Sequence, residues 1–132
     1  MTIPHVRLSG TAYERGWQHG HALGDRLRGF LADGLARIDR ILPQPLARDS
    51  LAATLHAYDR AISTSAPELG AEIGGLADGA GLSRAEAVLL QVRRELIGYH
   101  RIPAMGDCTT YARPGADPVL AQTVDLNGVR VH

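Results

Sequence analysis

The sequence predicts an α+β protein in which four helices precede a β-hairpin. Apolar residues recur at steps of three and four up to about residue 98, which is the period of helices. From Cys108 onward they alternate as in strands, on both sides of the turn-forming segment Arg113–Pro118. The change of period divides the chain into a helical segment, residues 1–107, and the start of a β segment, residues 108–132.

The first predicted elements are a short strand and a long helix. Residues 3–8 alternate loosely enough to favour an edge strand that Ser9-Gly10 ends. Apolar residues then follow helical steps from Tyr13 as far as Ile41, and the prolines of Leu42–Pro45 stop the pattern. We therefore expect one continuous amphipathic helix from Tyr13 to Ile41.

Glycines mark one stripe of this helix. Gly16, Gly20 and Gly24 are four residues apart, and each costs about 1 kcal/mol relative to alanine in a helix interior. Close approach of another backbone would offset this cost, and we favour it over a ligand groove. His19 and His21 lie nearby, but residues two apart on a helix face different sides, so we expect no metal site there.

Local start and stop signals define the remaining helices. The second helix is predicted over about residues 49–63, and the sequence Ser65–Glu68 has the spacing of a capping box with proline in the first turn. The helix it opens should stop at Gly79–Gly81. Ser83–Glu86 is another capping box, and the helix that follows should end at Gly98.

Charged residues occupy the last turns of that fourth helix. Arg93 and Arg94 would complement the helix dipole there, with Glu95 beside them. We expect these side chains to form an exposed ion pair, which would contribute only tenths of a kcal/mol.

The β segment is predicted to begin with a hairpin. Its strands would run from Cys108 to Ala112 and from Val119 to Leu126. Asn127-Gly128 is a turn signal, and Val129–His132 resembles the start of a third strand. Because a two-stranded hairpin is marginal by itself, we expect further chain, continued or separate, and a poorly folded isolated chain.

Composition limits the classes of function. The formal net charge is zero and all fourteen basic residues are arginine, without a basic stripe, so we expect no nucleic-acid partner. No segment approaches the roughly 18 apolar residues of a membrane span, and no apolar leader follows a basic start. The single cysteine forms no internal disulfide and is compatible with a reducing compartment. These features predict a soluble, cytoplasmic protein without a membrane span. We also expect no metal and no cofactor.

Cys108 is the candidate nucleophile. A free thiol has a pKa of about 8.5 and needs a base nearby to react at neutral pH. Cleavage of the chain after Asp107 would supply one, since the new α-amino group of Cys108 has a pKa of roughly 8. Gly106 gives the backbone freedom for the required bend. A cysteine buried for packing is the alternative, and spacing alone does not decide between them.

Three separated stretches carry a resemblance to a known family. They are Gly10–Gly20 (GTAYERGWQHG), Glu72–Gly81 (EIGGLADGAG) followed by Arg94-Glu95, and Cys108–Thr110 with Gln122–Asp125. Together, and in this order, they resemble the isopenicillin N acyltransferase (acyl-coenzyme A:6-aminopenicillanic acid acyltransferase) family of N-terminal-nucleophile hydrolases.

The resemblance implies the N-terminal part of an αββα sandwich that cleaves itself between Asp107 and Cys108. Cys108 would then take an acyl group from a small N-acyl amide as a thioester, with acyl-coenzyme A as a candidate co-substrate. Asp125 matches the family's acidic residue that holds the new amino terminus. Thr123 departs from an asparagine common at this place, which leaves the substrate contacts open. The family's other catalytic and oxyanion-hole residues lie further on than His132.

Three functions remain open on the sequence. An acyltransferase or amidohydrolase acting through Cys108 is the first. A pure hydrolase of the bile-salt or N-acylethanolamine type is the second. The amine that would accept the acyl group decides between these two, and the sequence does not identify it. The third is a non-catalytic helical partner subunit, or an inactive fragment, in which Cys108 is merely buried.

Overall fold

The computed structural model describes residues 4–41, 48–97, 110–115 and 117–122 and shows an α+β protein with helices followed by an antiparallel hairpin. The elements are α1 (Ala12–Ala32), α2 (Ile38–Ile41), α3 (Arg48–Ser65), α4 (Pro67–Ala80), α5 (Arg84–Ile97), β1 (Thr110–Arg113) and β2 (Val119–Gln122). The chain divides into two units, Met1–Ile97 and Gly98–His132, which we call the helical unit and the hairpin unit.

No strand forms over residues 4–9, so the expected edge strand is wrong in the part described. The main-chain N–H of Ser9 donates to Gln18 Oε1 at 3.1 Å, and Gln18 Nε2 donates to the Ser9 carbonyl at 3.0 Å. The amide side chain thus makes the bonds that a neighbouring strand would make. Pro4 also has no N–H to donate to a ladder.

A capping box that the sequence analysis missed opens α1. The Thr11 side chain accepts from the N–H of Glu14, and Glu14 Oε2 accepts from the N–H of Thr11 at 2.8 Å. The N–H and the hydroxyl of Thr11 both donate to this carboxylate, and these hydrogen bonds lower the pKa of Glu14. The spacing of threonine and glutamate three residues apart is the signal that would have predicted this start.

The expected continuous helix from Tyr13 to Ile41 is wrong, because α1 ends at Ala32 and a left-handed turn, residues 33–37, separates it from α2. Backbone φ is 56° at Gly34, and it stays positive through the next three residues. Each non-glycine residue in this conformation costs about 1–2 kcal/mol. Burial offsets part of this strain, since Ala36 and Ile38 are 0% exposed.

The later helices follow their sequence signals closely, with one exception. α3 extends to Ser65, so Ser65 does not cap α4, and the predicted capping box there is wrong. α4 instead begins with Pro67 after the N-cap Ala66, which makes no side-chain cap. It ends as predicted at Gly81, whose φ of 65° is the left-handed conformation that glycine adopts readily.

The predicted capping box of α5 is confirmed. The N–H of Ser83 donates to Glu86 Oε2 at 2.8 Å, and the N–H of Glu86 donates to Ser83 Oγ at 3.3 Å. Hydrogen bonds from Ser83 lower the pKa of Glu86. The helix then runs to Ile97, beside the predicted stop.

The helical unit has a hydrophobic core to which all five helices contribute. The buried apolar members are Leu31, Ala36, Ile38, Leu51, Leu55, Ile73, Leu76, Ala77, Ala87, Val88, Leu89, Val92 and Ile97. Most apolar helix faces are therefore covered within the unit. Trp17 and Leu69 are among the large apolar side chains that stay exposed.

Arg93 belongs to this core, so its expected place in an exposed ion pair is wrong. Its side chain is buried, and Nε donates to the carbonyl of Ala36 at 2.8 Å. Its guanidinium also lies over the Phe30 ring, 5.5 Å from the centroid. Burial, followed by the nearby charges of Arg94 and Arg37, lowers the pKa of Arg93.

A second arginine joins three helices. Arg84, at the start of α5, donates from Nε to Asp59 Oδ1 of α3 at 2.9 Å and from Nη1 to the carbonyl of Gly70 in α4 at 2.7 Å. Arg84 Nη2 also donates to Ser63 Oγ at 3.3 Å. The hydrogen bond from Arg84 is the main cause that lowers the pKa of Asp59.

We expect Asp59→Asn to flatten the pH dependence of stability in acid. A depressed folded-state pKa stabilises the fold above the unfolded pKa of about 3.9, and this contribution is lost as pH falls through the folded value. Wild type should therefore lose stability below about pH 4 more steeply than Asp59→Asn. Urea denaturation at a series of pH values measures this, with Asp25→Asn as the control because Asp25 is 98% exposed. Parallel curves for wild type and Asp59→Asn would contradict the prediction.

The hairpin unit shows the predicted antiparallel pair in its described part. Thr110 pairs with Gln122, Tyr111 with Ala121, Ala112 with Leu120, and Arg113 with Val119. Both strands are exposed on both faces, and Leu120 keeps 77% of its surface exposed. Such a two-stranded pair is marginal without a cover.

Candidate functional site

The residues predicted to carry catalysis, Asp107, Cys108 and Asp125, lie outside the described residues. The described hairpin ends at the pair formed by Thr110 and Gln122. In the sequence, Cys108 comes two residues before Thr110, and Asp125 comes three residues after Gln122. The predicted strands are thus confirmed for Thr110–Ala112 and for Val119–Gln122, while the active-site assignment stays a prediction.

Two of the three resembling stretches lie against each other in the helical unit. Gly10–Gly20 opens α1, and Glu72–Gly81 forms most of α4. Gly16 faces the main chain of Glu72, and Gly20 faces that of Leu76. Since the contacts advance in the same direction along both helices, α1 and α4 run parallel.

The contact between these helices is made by the backbones themselves. A Cβ atom at Gly16 or at Gly20 would clash with a carbonyl oxygen of α4. From the other side, a Cβ atom at Gly75 would clash with the carbonyl oxygen of Tyr13, and one at Gly79 with that of Trp17. The predicted close approach is confirmed, and glycines on both helices make it possible.

Gly24 differs from the other two glycines of the stripe. The nearest backbone atom to a Cβ placed there is Ala80 Cα at 3.4 Å, which is ordinary van der Waals contact. The helices are therefore closest at Gly16 and Gly20 and further apart at this end. Arg28 closes this end of the contact, because its Nη1 donates to the carbonyl of Ala80.

Polar and aromatic side chains border the α1–α4 contact. Tyr13 Oη donates to Asp78 Oδ2 at 2.7 Å, and this hydrogen bond is the main cause that raises the pKa of Tyr13. Arg15 Nη2 lies 3.3 Å from Glu72 Oε2. These pairs joining the two stretches escaped the sequence analysis, because their members are 65 and 57 residues apart.

The side chains at this border hold α1 and α4 together. Tyr13 with a raised pKa stays protonated at neutral pH and acts as a hydrogen-bond donor to Asp78. His21 stacks on Trp17 with ring centroids 4.8 Å apart. Within the described ranges, no group of three or more His, Cys, Asp or Glu side chains could hold a metal ion.

Arg94-Glu95, which also belongs to the residues that carry the resemblance, lies near the end of α5. Glu95 lines an open cavity of about 240 Å³, together with Ser50, Leu51, Thr54, Tyr58 and Leu96. The lining thus combines residues that carry a hydroxyl or a carboxylate with two leucines. The volume is below the roughly 300–1,000 Å³ that is usual for ligand sites.

No family model matches the chain, and the search of curated proteins finds no match either. For the part of the chain that the structure describes, no helix has the combination of length and apolar character needed to cross a membrane.

Proposed function

We propose that this chain supplies Cys108 as the N-terminal nucleophile of an autoproteolytic acyltransferase or amidohydrolase that acts on small N-acyl amides. The observation that supports this most directly is the hairpin. Its last described pair joins Thr110, which comes two residues after Cys108, to Gln122. The contact between Gly10–Gly20 and Glu72–Gly81 adds support, because it brings together two of the stretches on which the resemblance depends.

The proposed maturation step is an attack by the Cys108 thiol on the carbonyl carbon of Asp107. The peptide nitrogen of Cys108 leaves as an amine, and the acyl group moves to sulfur as a thioester. Water then hydrolyses the thioester, which returns the thiol and releases the carboxylate of Asp107. The new α-amino group lies on the same residue as the thiol and is available as a general base.

In the proposed turnover, this amino group takes the thiol proton while sulfur attacks the substrate amide carbon. The C–N bond breaks, and the leaving amine takes the proton that the α-amino group holds. The resulting thioester passes its acyl group to water in a hydrolase or to a second amine in a transferase. Acyl-coenzyme A is the candidate co-substrate in the transferase, where its thioester would load the same sulfur.

The proposed role of Asp125 is to hold the α-amino group. Thr110 and Gln122 are cross-strand partners, and partners lie on the same face of the sheet. Cys108 comes two residues before Thr110, whereas Asp125 comes three residues after Gln122. In a regular ladder such positions face opposite sides of the sheet. We therefore assign to Asp125 the main-chain amino group, which belongs to neither face, rather than the thiol. A carboxylate within reach would stabilise the positive charge that this amine gains when it takes the thiol proton, and it would fix the direction of the amine.

The proposal includes a continuation of the β segment, in this chain or a separate one, and a reducing cytoplasmic setting that keeps the thiol free. The exposed faces of β1 and β2 support the first of these. A sheet and helix layer covering them would complete an αββα sandwich.

Intact mass of the protein, expressed together with the rest of the β segment, tests the proposal. We expect two polypeptides that separate between Asp107 and Cys108. A single uncut polypeptide, with a thiol that does not react with iodoacetamide until the protein is unfolded, would favour the non-catalytic helical subunit instead. A cut with release of free acid from an N-acyl amide, but no transfer to amines, would identify the hydrolase.

A further inference from the structure

The left-handed turn, residues 33–37, is the most strained described segment of the helical unit. Leu35, Ala36 and Arg37 have φ values of 46°, 55° and 62° in succession, which residues with a Cβ rarely adopt. The N–H of Arg37 donates to the carbonyl of Asp33 at 2.7 Å, which closes one turn of left-handed helix. Strain of this kind persists only where the surrounding structure holds it.

Side chains from two elements hold the turn. Arg93 of α5 donates to the carbonyl of Ala36, and its guanidinium lies over the Phe30 ring of α1, 5.5 Å from the ring centroid. The guanidinium of Arg37 lies 5.4 Å from the same ring centroid, and its Nε is 2.9 Å from Asp33 Oδ2. We call the contacts of Arg93 with Ala36 and Phe30 the Arg93 latch.

The same residues carry the pattern of a right-handed helix. Apolar residues continue at three- and four-residue steps through the turn, at Leu31, Leu35 and Ile38, which is why the sequence predicts one helix here. In that helix the carbonyl of Ala36 would accept from the N–H four residues further on. The left-handed turn and the continuous helix exclude each other, because Leu35, Ala36 and Arg37 cannot have positive and negative φ at once, and Arg93 bonds to the Ala36 carbonyl in the left-handed arrangement.

The two arrangements also trade burial against strain. The left-handed turn buries Ala36 and Ile38 completely and gives Arg93 an acceptor inside the core. The continuous helix removes the strain at three residues and adds regular hydrogen bonds. We propose that residues 33–37 form a two-state hinge, which the Arg93 latch holds left-handed and which otherwise joins α1 and α2 into one helix. Its movement would shift α2 along α5, which α2 contacts.

Nuclear magnetic resonance of the isotope-labelled full chain tests the hinge. The ¹³Cα shifts and the HN–Hα couplings of Leu35, Ala36 and Arg37 report the sign of φ directly. In Arg93→Met we expect these signals to move from left-handed to right-handed values, with a rise in helical circular dichroism worth about five residues, 33–37. Arg60→Met, which removes an exposed arginine of α3, should leave them unchanged.

Two further variants act on the turn without touching Arg93. Gly34→Ala places a Cβ where φ is 56° and should shift the hinge toward the right-handed state, whereas Gly29→Ala, in the preceding helix, should not. Ala36→Gly relieves strain at a left-handed position and should restore left-handed signals in the Arg93→Met background.

Left-handed values retained in folded Arg93→Met would overturn the latch. If Arg93→Met does not fold, Gly34→Ala decides alone: right-handed signals support the hinge, and left-handed signals overturn it.

Discussion

Gly16→Ala is expected to destabilise the helical unit by roughly 2 kcal/mol, although alanine is the better helix former. The added methyl group would overlap the carbonyl oxygen of Glu72, which belongs to the backbone of α4 and cannot rotate away. The helices would have to separate along their closest contact, and overpacking of this kind typically costs 1–3 kcal/mol or more. The propensity gain of about 1 kcal/mol offsets only part of this.

Gly29→Ala is the matched control, since it makes the same chemical change in the same helix. A Cβ at Gly29 meets no atom within 4 Å, so only the propensity gain remains. We expect this variant to stabilise the chain by up to about 1 kcal/mol. The two substitutions should therefore change stability in opposite directions.

Chemical denaturation followed by circular dichroism at 222 nm measures both variants. Gly75→Ala provides a second test from α4, because its Cβ would clash with the carbonyl of Tyr13. Gly16 and Gly75 lie at one helix contact, so the double variant should lose less than the sum of the two single losses. Equal stability of Gly16→Ala and Gly29→Ala would show that the backbones are not in contact.

Elements with local signals could be predicted from the sequence. The start of α4 at Pro67, its end at Gly81 and the capping box of Ser83 with Glu86 each depend on residues within one turn of the boundary. The hairpin was also predictable, because alternation and turn residues are adjacent in the chain. The failure at Ser65 has a local cause as well, since α3 uses that residue for its own last turn.

The break after α1 could not be predicted, because its determinant is distant. Arg93 bonds to Ala36 across 57 positions of sequence, and an arginine at a helix end is normally exposed. Periodicity alone therefore gave a continuous helix where the structure has a left-handed turn. The same holds for the glycine stripe, which predicted a close backbone neighbour but not that the backbone of α4 provides it, with Gly75 and Gly79 allowing the approach from that side.

The candidate nucleophile has a different basis. Composition and spacing did not decide whether Cys108 is a nucleophile or a cysteine buried for packing. The assignment of Cys108 and Asp125 to an active site depends on the resemblance. The described hairpin supports only the position of the strand that follows. Chemical tests on these two residues therefore carry the most weight for function.

Cys108→Ala is expected to abolish both cleavage before residue 108 and turnover of N-acyl amides, because one thiol performs both attacks in the proposed mechanism. Cys108→Ser should retain part of the cleavage and lose most of the turnover, since a hydroxyl can still make the acyl shift but is a weaker nucleophile without thiolate character. A merely buried cysteine would not separate these two activities.

Asp125→Asn is expected to keep the fold and lose most of the activity, because it removes the charge assigned to the α-amino group and keeps the size of the side chain. Its pH–rate profile should also change, since the pKa of that amine depends on the carboxylate.

Mass spectrometry of cleavage, together with labelling by a thiol-directed acyl analogue, provides the readout for these variants. The chain has one cysteine, so any label in the chain is unambiguous. Asp117→Asn, in the turn between β1 and β2, is the control for Asp125→Asn and should cleave and turn over normally. Normal turnover by Cys108→Ala would end the nucleophile assignment. Full activity of Asp125→Asn would leave Cys108 in place but require another group to hold its amine.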